Sequence, residues 1–233
     1  MFNIDNILLT EPKTIADVLV HNTYDFEKPK EVRGFLRLII GDGMIVVEGD
    51  VHKFQRKHAS PAFSFRHIKE LIPIFWNKAV QLRDGVAAEM RENPEADKRS
   101  VVEINHWANK VTVDIIGVAG LGRDFNALKN NDDKLVRNYE EILEPTTEKL
   151  AYFVSNLVLG QQFVSKLPWK LNTTLKNTTQ DLKNICLRLV GDKRQLMKQD
   201  EKGQLDILSL LIKSDNFNDD MLVDQLLTFL AAG

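Results

Sequence analysis

Most of the chain has the pattern of amphipathic helices, in which apolar residues recur three and four positions apart with polar residues between them. Local signals agree with this pattern, because Pro12 suits the first turn of a helix and Ser60-Pro61 ends a later one. The polar segment ENPEADKRS reads as a surface loop. The pattern predicts helices over residues 13–20, 50–59, 73–92, 102–121, 133–144, 171–197 and 206–213.

Two short apolar stretches near the start of the chain predict strands instead. NILLT at residues 6–10 precedes the first helix, and MIVV at residues 44–47 ends a segment with no clear period. That segment, residues 35–47, contains Gly41 and Gly43 and is interpreted as a loop. The expected fold class is therefore mainly α, with a small β element near the N-terminus.

The last 13 residues, MLVDQLLTFLAAG, are apolar on nearly every face of a helix. Only Asp224, Gln225 and Thr228 are polar after Met221. A helix of this kind normally lies inside a protein and is surrounded by other helices. Because it has no polar last turn, we expect the chain to stop inside a buried helix, so that residues 1–233 form a single partial domain.

Composition and charge narrow the class of protein. The chain has 233 residues, of which 43% are hydrophobic and 27% charged, as in an ordinary globular protein. Its 31 Lys and Arg against 33 Asp and Glu argue against nucleic-acid binding. The single Cys186 excludes an internal disulfide and fits a reducing, intracellular setting. No signal peptide is visible, and no apolar run approaches the roughly 20 residues of a membrane-spanning helix.

One local charge pattern stands out against this balance. From Val51 to Lys69 the chain carries five Lys or Arg residues, three histidines and no carboxylate. His52 and Arg56 stand four residues apart on a predicted helix, so their side chains share one face. An arginine fork and an imidazole N–H near a helix N-terminus suit a partly buried carboxylate. The alternative interpretation is a solvated basic face.

Other chemical motifs are absent from the sequence. The histidines never stand three or four apart, so no helical metal pair is predicted, and no metal ligand is assigned. Glycines 41 and 43 lack the remaining residues of a phosphate-binding loop. Cys186 lies among mostly apolar neighbours in a predicted helix, which favours a buried, inert thiol.

The stretch EGDVHKFQRKHASPAFS at residues 48–64 resembles the C-helix region of cytochrome P450 monooxygenases, especially fungal ones. Further stretches resemble successive parts of the same family in the same order. TEPKTIADVLV is similar to the B helix, and HIKELIPIFWNKAVQL to the approach to the D helix. VTVDIIGVAGLGRDFNAL is similar to the E helix and its exit, and DDMLVDQLLTFLAAG to the start of the I helix.

The resemblance implies a haem cofactor and assigns roles to particular residues. In that family the corresponding C-helix residues hold a haem propionate, so His52 and Arg56 become the expected propionate ligands. Phe229, Ala232 and Gly233 become part of the roof over the haem. The fold implied is the front half of a cytochrome P450 catalytic domain, which ends within the I helix.

The resemblance also implies a substrate and redox partners. The substrate would be an apolar small molecule, contacted by the loop at residues 41–47 (Ile45 and Val46), by Phe229 and by the apolar segment 152–167. Electrons would come from NADPH through a reductase that docks on the basic C-helix face, where Lys53 and Lys57 lie. The whole protein is expected at the cytosolic face of the endoplasmic-reticulum membrane, with its anchor absent from this chain.

The chain departs from the family pattern at the haem iron. The family's cysteine loop, F-x-x-G-x-R-x-C-x-G, does not match the residues around Cys186, so the thiolate ligand is expected outside this chain. The family's E-x-x-R pattern is also missing, and we expect no oxygenation by this chain alone. The competing hypothesis is a non-catalytic helical binding or scaffold module that uses its basic face, residues 51–69, for an acidic partner.

Overall fold

The computed structural model describes residues 7–92, 101–129, 133–143, 146–199 and 206–232. These residues form helices joined by short turns. In chain order the α-helices are α1 Pro12–Ala16, α2 Lys30–Ile40, α3 Gly49–Ala59, α4 Phe65–Glu92, α5 Ile104–Ile116, α6 Lys134–Leu143, α7 Thr147–Leu159, α8 Gln161–Val164, α9 Lys170–Gln199, α10 Ile207–Lys213 and α11 Asp219–Ala232. Short π-helical turns follow α1 and α5, and a 3-10 turn at Ser60–Phe63 follows α3.

The predicted small β element is wrong, because the described residues contain no strand. Residues 7–10 have no regular structure, and residues 44–47 lie in a turn. The turn is held locally, since the N–H groups of Val46 and Val47 both donate to the carbonyl of Gly43, at 2.8 and 3.2 Å. These N–H groups are therefore not available to a neighbouring strand.

Two further predictions about helices are corrected. Residues 35–40, interpreted as loop, form the end of α2, where the partly buried Phe35 and Ile39 pack against the core. The helix predicted to begin at residue 73 begins earlier, because α4 runs from Phe65 to Glu92 and continues through Pro73. Tertiary packing offsets the hydrogen bond that a proline removes from a helix interior.

The main core surrounds α11, which packs most extensively on α9 and also on α2 and α10. Eight of its residues are buried, so the prediction of a buried last helix is confirmed. They are Leu222, Val223, Gln225, Leu226, Leu227, Thr228, Phe229 and Leu230. Cys186 on α9 belongs to the same core and is fully buried. None of the described helices is long and apolar enough to cross a membrane.

The turn at residues 41–44 is fastened to α11 by polar side chains and by two glycines. The Asp224 carboxylate accepts a hydrogen bond from the backbone N–H of Asp42 at 2.8 Å. A Cβ atom added at Gly41 would collide with this carboxylate, and one added at Gly43 would collide with the Thr228 hydroxyl. Gly41 also has a φ of +67°, which other residues rarely adopt. The glycines therefore permit a close approach between turn and helix.

This close approach predicts a large difference between two glycine substitutions. Gly41→Ala adds both backbone strain and a collision with Asp224, and should lower the free energy of unfolding by about 3 kcal/mol. Gly49→Ala is the matched control, because Gly49 also has a positive φ of +58° but has open space around a Cβ. Its cost should be about 1–2 kcal/mol. Urea unfolding of both variants measures the difference, and equal costs would contradict the close approach.

Candidate functional site

Helix α3 carries His52 and Arg56 one turn apart, as their spacing predicts. His52 is half-buried, and its Nδ1 lies 3.2 Å from the hydroxyl of Tyr24. The two rings also contact each other, with centroids 5.7 Å apart. Arg56 is exposed. When Tyr24 donates to Nδ1, the imidazole carries its proton on Nε2 and can donate it to a ligand.

The surroundings of His52 keep its imidazole neutral. Burial is the main cause that lowers the pKa of His52, and the positive charges of Lys28 and Arg56 lower it further. Glu48 opposes this effect, but its carboxylate is engaged by Lys28 at 3.1 Å. Their spacing of four residues on α3 places the His52 and Arg56 side chains on one face of the helix, where they form one candidate cationic and hydrogen-bonding group.

The Arg56 guanidinium has no carboxylate partner within the residues that the structure describes, unlike several neighbouring cations. Lys28 pairs with Glu48 at 3.1 Å, and Lys53 lies 3.4 Å from Asp50. The Lys53 ammonium also lies 4.6 Å from the centre of the Tyr24 ring. An unpaired planar fork beside a neutral imidazole is suited to a carboxylate or a similar anion.

A buried pair of glutamines connects α3 to α11. Gln55 Nε2 donates to the carbonyl of Asp42 at 3.0 Å, and Gln55 Oε1 accepts from Gln225 Nε2 at 2.8 Å. Gln225 Oε1 in turn accepts from the backbone N–H of Met44 at 3.4 Å. Gln55 directly precedes Arg56, so this network ties the part of α3 that carries Arg56 to α11. We refer to it as the glutamine bridge.

Helix α11 ends beside the 3-10 turn that follows α3. Phe229 is buried and meets Phe63 edge to face, with ring centroids 5.5 Å apart. Phe63 remains 41% exposed, and Ala232 at the end of α11 is exposed as well. Gly233 lies outside the described residues. The two aromatic rings thus present a partly open apolar surface at this end of the molecule.

Two of the residues predicted for the substrate pocket have different surroundings. Val46 is fully buried and belongs to the main hydrophobic core, whereas Ile45 is 39% exposed. This difference follows from the turn at residues 44–46, which points successive side chains to opposite sides. The segment 152–167 is divided between α7 and α8, and Tyr152 at its start is buried against Phe35 and Trp169.

The sequence interpretation missed Tyr24, Gln55 and Gln225. Tyr24 has no periodic pattern around it, and its partner His52 is 28 residues away. The glutamines are 170 residues apart, so no local pattern pairs them. A usable signal did exist for Gln225, because a polar residue in an otherwise apolar helix requires a partner.

The pKa of Asp224 on α11 is shifted because the side chain lies against the turn at residues 41–44. Burial raises the pKa of its carboxyl, and the N–H of Asp42 and the charge of Lys183 oppose this rise only in part. The Lys183 ammonium lies 3.9 Å from the carboxylate. Asp224 therefore acts as a hydrogen-bond acceptor that fastens the turn rather than as an exposed charge.

Cys186 does not have the properties of a metal ligand. Its side chain is fully buried in the core on α9, and burial raises its pKa to about 12. A thiol in this state is protonated at neutral pH and does not supply a thiolate. The prediction of a buried cysteine is confirmed.

A model of the family described as Cytochrome P450 matches residues 1–233, the full length of this sequence. The chain belongs to the cytochrome P450 family. This family implies a haem cofactor.

The similar curated proteins are fungal monooxygenases. The chain is 33% identical to cytochrome P450 monooxygenase sphH of Aspergillus fumigatus, over 99% of the chain and 43% of that protein. It is 34% identical to FUM15 of Gibberella moniliformis, over 98% of the chain and 39% of that protein. It is 34% identical to ALT8 of Alternaria alternata, over 98% of the chain and 42% of that protein. The chain thus spans about two fifths of these relatives.

The described residues suit the carboxylate groups of a haem but do not supply a ligand for its iron. The unpaired Arg56 guanidinium and the Nε2 of His52 are suitable donors for a propionate carboxylate. The buried Cys186 is unsuitable as the iron ligand. The described side chains therefore fit the rim of the cofactor, whereas the chain's cysteine does not fit its metal.

The electrostatic coupling within the pair predicts a change in the titration of His52. Arg56→Gln removes a positive charge beside the imidazole, so the pKa of His52 should rise toward its ordinary value of about 6.5. Lys53→Gln is the control, because Lys53 is not among the charges that shift His52. NMR titration of the His52 ring protons measures both variants.

The same coupling has a consequence for stability. Because folding lowers the pKa of His52, the unfolded chain takes up the proton more readily. The contribution of His52 to the free energy of unfolding is therefore lost as the pH falls from the ordinary pKa of histidine to the lower pKa that His52 has in the folded protein. Arg56→Gln should make this loss smaller. An unchanged His52 titration in Arg56→Gln would contradict the closeness of the two side chains.

Proposed function

We propose that this chain forms the haem-carboxylate side and part of the distal roof of a fungal haem-thiolate monooxygenase. The observation that carries the proposal is the Arg56 guanidinium, unpaired within the described residues, beside the neutral imidazole of His52 on one turn of α3. Membership of the cytochrome P450 family supplies the chemical class of ligand. The fragment status of residues 1–233, as the front half of a catalytic domain, is part of the same proposal.

In this proposal His52 and Arg56 bind and orient one propionate. The guanidinium fork of Arg56 supplies two parallel donors, and His52 Nε2 supplies a third. Tyr24 holds the imidazole in the tautomer that this requires. Each charge-assisted hydrogen bond contributes about 1.5–3 kcal/mol when it is shielded from water.

In the same proposal, the apolar residues near the end of α11 lie over the distal side of the haem. Phe229 and Phe63, with Ala232 and Gly233 beyond them, would cover the distal side and exclude water from it. Haem in such proteins supplies oxygen activation, which the protein shields and positions. We assign Ile45 to the substrate side because its side chain is partly exposed, and Val46 to the support behind it. The substrate class proposed is an apolar small molecule.

The thiolate ligand of the haem would come from outside residues 1–233, because the buried Cys186 does not supply one. Electrons would come from NADPH through a reductase that docks on the C-helix face. Lys57 and Lys69 are exposed there and are available to an acidic partner. We place the whole protein at the cytosolic face of the endoplasmic-reticulum membrane, by analogy with eukaryotic family members. No contact of the described residues favours the alternative of a scaffold module.

The proposal predicts unequal effects of two substitutions on haem retention. In a haem-loaded protein that combines this chain with a thiolate-bearing segment, Arg56→Ala should raise the haem dissociation rate about tenfold or more. Lys53→Ala should change it by less than about threefold, because Lys53 is exposed and is already near Asp50 and Tyr24. Transfer of haem to an excess of apomyoglobin measures both rates.

Equal dissociation rates for the two variants would refute the propionate assignment. A second readout separates a local effect from misfolding, since Arg56→Lys keeps the charge and loses the planar fork. This variant should retain haem better than Arg56→Ala and less well than the unmodified protein. The far-ultraviolet circular dichroism of all variants should remain the same.

A further inference from the structure

A groove with a cavity of about 680 Å³ lies between α2, α8 and α9, away from the haem-facing residues. None of its lining residues is assigned to the propionate or to the roof, and three of them, Tyr152, Gln161 and Ser165, belong to the segment 152–167 that the sequence predicts to contact the substrate. The volume falls within the range of about 300–1,000 Å³ that is usual for small-molecule sites. The groove is therefore large enough to hold a small organic molecule of its own.

The side chains of the groove have a distinctive chemistry. Amides such as Gln161 and Asn177 line it together with four hydroxyl side chains and two lysines, Lys176 and Lys183. Among the residues that the structure describes, no aspartate or glutamate lines the groove. Lys176 is exposed and has no ion pair among the described residues, whereas Lys183 lies 3.9 Å from Asp224 outside the groove. The walls therefore offer positive charge together with many hydrogen-bonding groups.

Thr179 is the feature that indicates a ligand. It lines the groove and is only 6% exposed, yet its hydroxyl has no hydrogen-bond partner among the described residues. A buried polar atom normally has a partner, because leaving it without one costs free energy. A hydroxyl oxygen of a bound molecule would satisfy Thr179, while its anionic group would be met by Lys176 and Lys183.

We propose that this groove is a second binding site, which takes a small polyhydroxylated carboxylate of the size of a sugar acid. The lysines recognise the carboxylate, and Thr179 and the amides recognise the hydroxyls. The site is independent of the haem, since no residue of the groove contacts the His52 and Arg56 pair in the described part of the chain.

Two probes that differ in one group test the anionic part of the proposal. D-gluconate carries a carboxylate on a six-carbon polyol, and D-sorbitol is the matching polyol without it. Isothermal titration of the 233-residue chain should show saturable binding of gluconate, and sorbitol should bind at least about tenfold more weakly. Absence of saturable gluconate binding, or equal binding of the two compounds, would overturn the proposal.

Three variants assign the binding to the groove. Lys176→Gln should weaken gluconate binding about tenfold, whereas Lys198→Gln near the other end of the same helix should leave it unchanged. Thr179→Val should weaken binding about fivefold without lowering the thermal unfolding midpoint, because the removed hydroxyl has no partner in the free protein. Equal losses in Lys176→Gln and Lys198→Gln would show a nonspecific charge effect and would overturn the assignment.

Discussion

Two buried glutamine side chains hold together the parts of the molecule on which its function depends. Gln55 lies on α3, the helix of the proposed anion-binding pair, and Gln225 lies on α11, the helix of the proposed distal roof. A buried amide without partners costs about 1–3 kcal/mol, so α3, α11 and the turn at residues 41–44 must assemble together. Asp224 and the two glycines of the turn add to the same junction. The position of His52 and Arg56 relative to Phe229 is a consequence of this bridge.

The junction also explains why the site has its electrostatic character. The bridge joins the inner face of α3 to α11 by a hydrogen bond, with Gln55 buried while Arg56, the next residue, remains exposed. The neighbouring carboxylates are engaged elsewhere, by Lys28 and by Lys53. A cation that is held on a rigid helix and left unpaired within the described residues is suited to an external carboxylate. The groove beside α9 lies apart from the His52 and Arg56 pair and has its own cations and hydroxyl groups.

Sequence patterns predicted those features that depend on local periodicity. The helices around Cys186 and in the last segment were predicted correctly because their apolar residues match the 3.6-residue repeat. The strand at residues 44–47 was wrong because glycine-permitted turn bonds and contacts to α11 override its β-type composition. The spacing of His52 and Arg56 identified the candidate pair. Tyr24 and the glutamine bridge could not be predicted, since their partners are distant in sequence and are brought together only by folding.

The glutamine bridge couples α3 to α11, and a double-mutant cycle tests this coupling directly. Gln55→Leu and Gln225→Leu should each lower the free energy of unfolding by about 1–3 kcal/mol, because each leaves the other amide unpaired. The double variant should cost at least about 1 kcal/mol less than the sum, since the hydrogen bond between the two glutamines is lost only once and neither side-chain amide is left facing an apolar replacement. Costs that add to within about 0.5 kcal/mol would contradict the coupling.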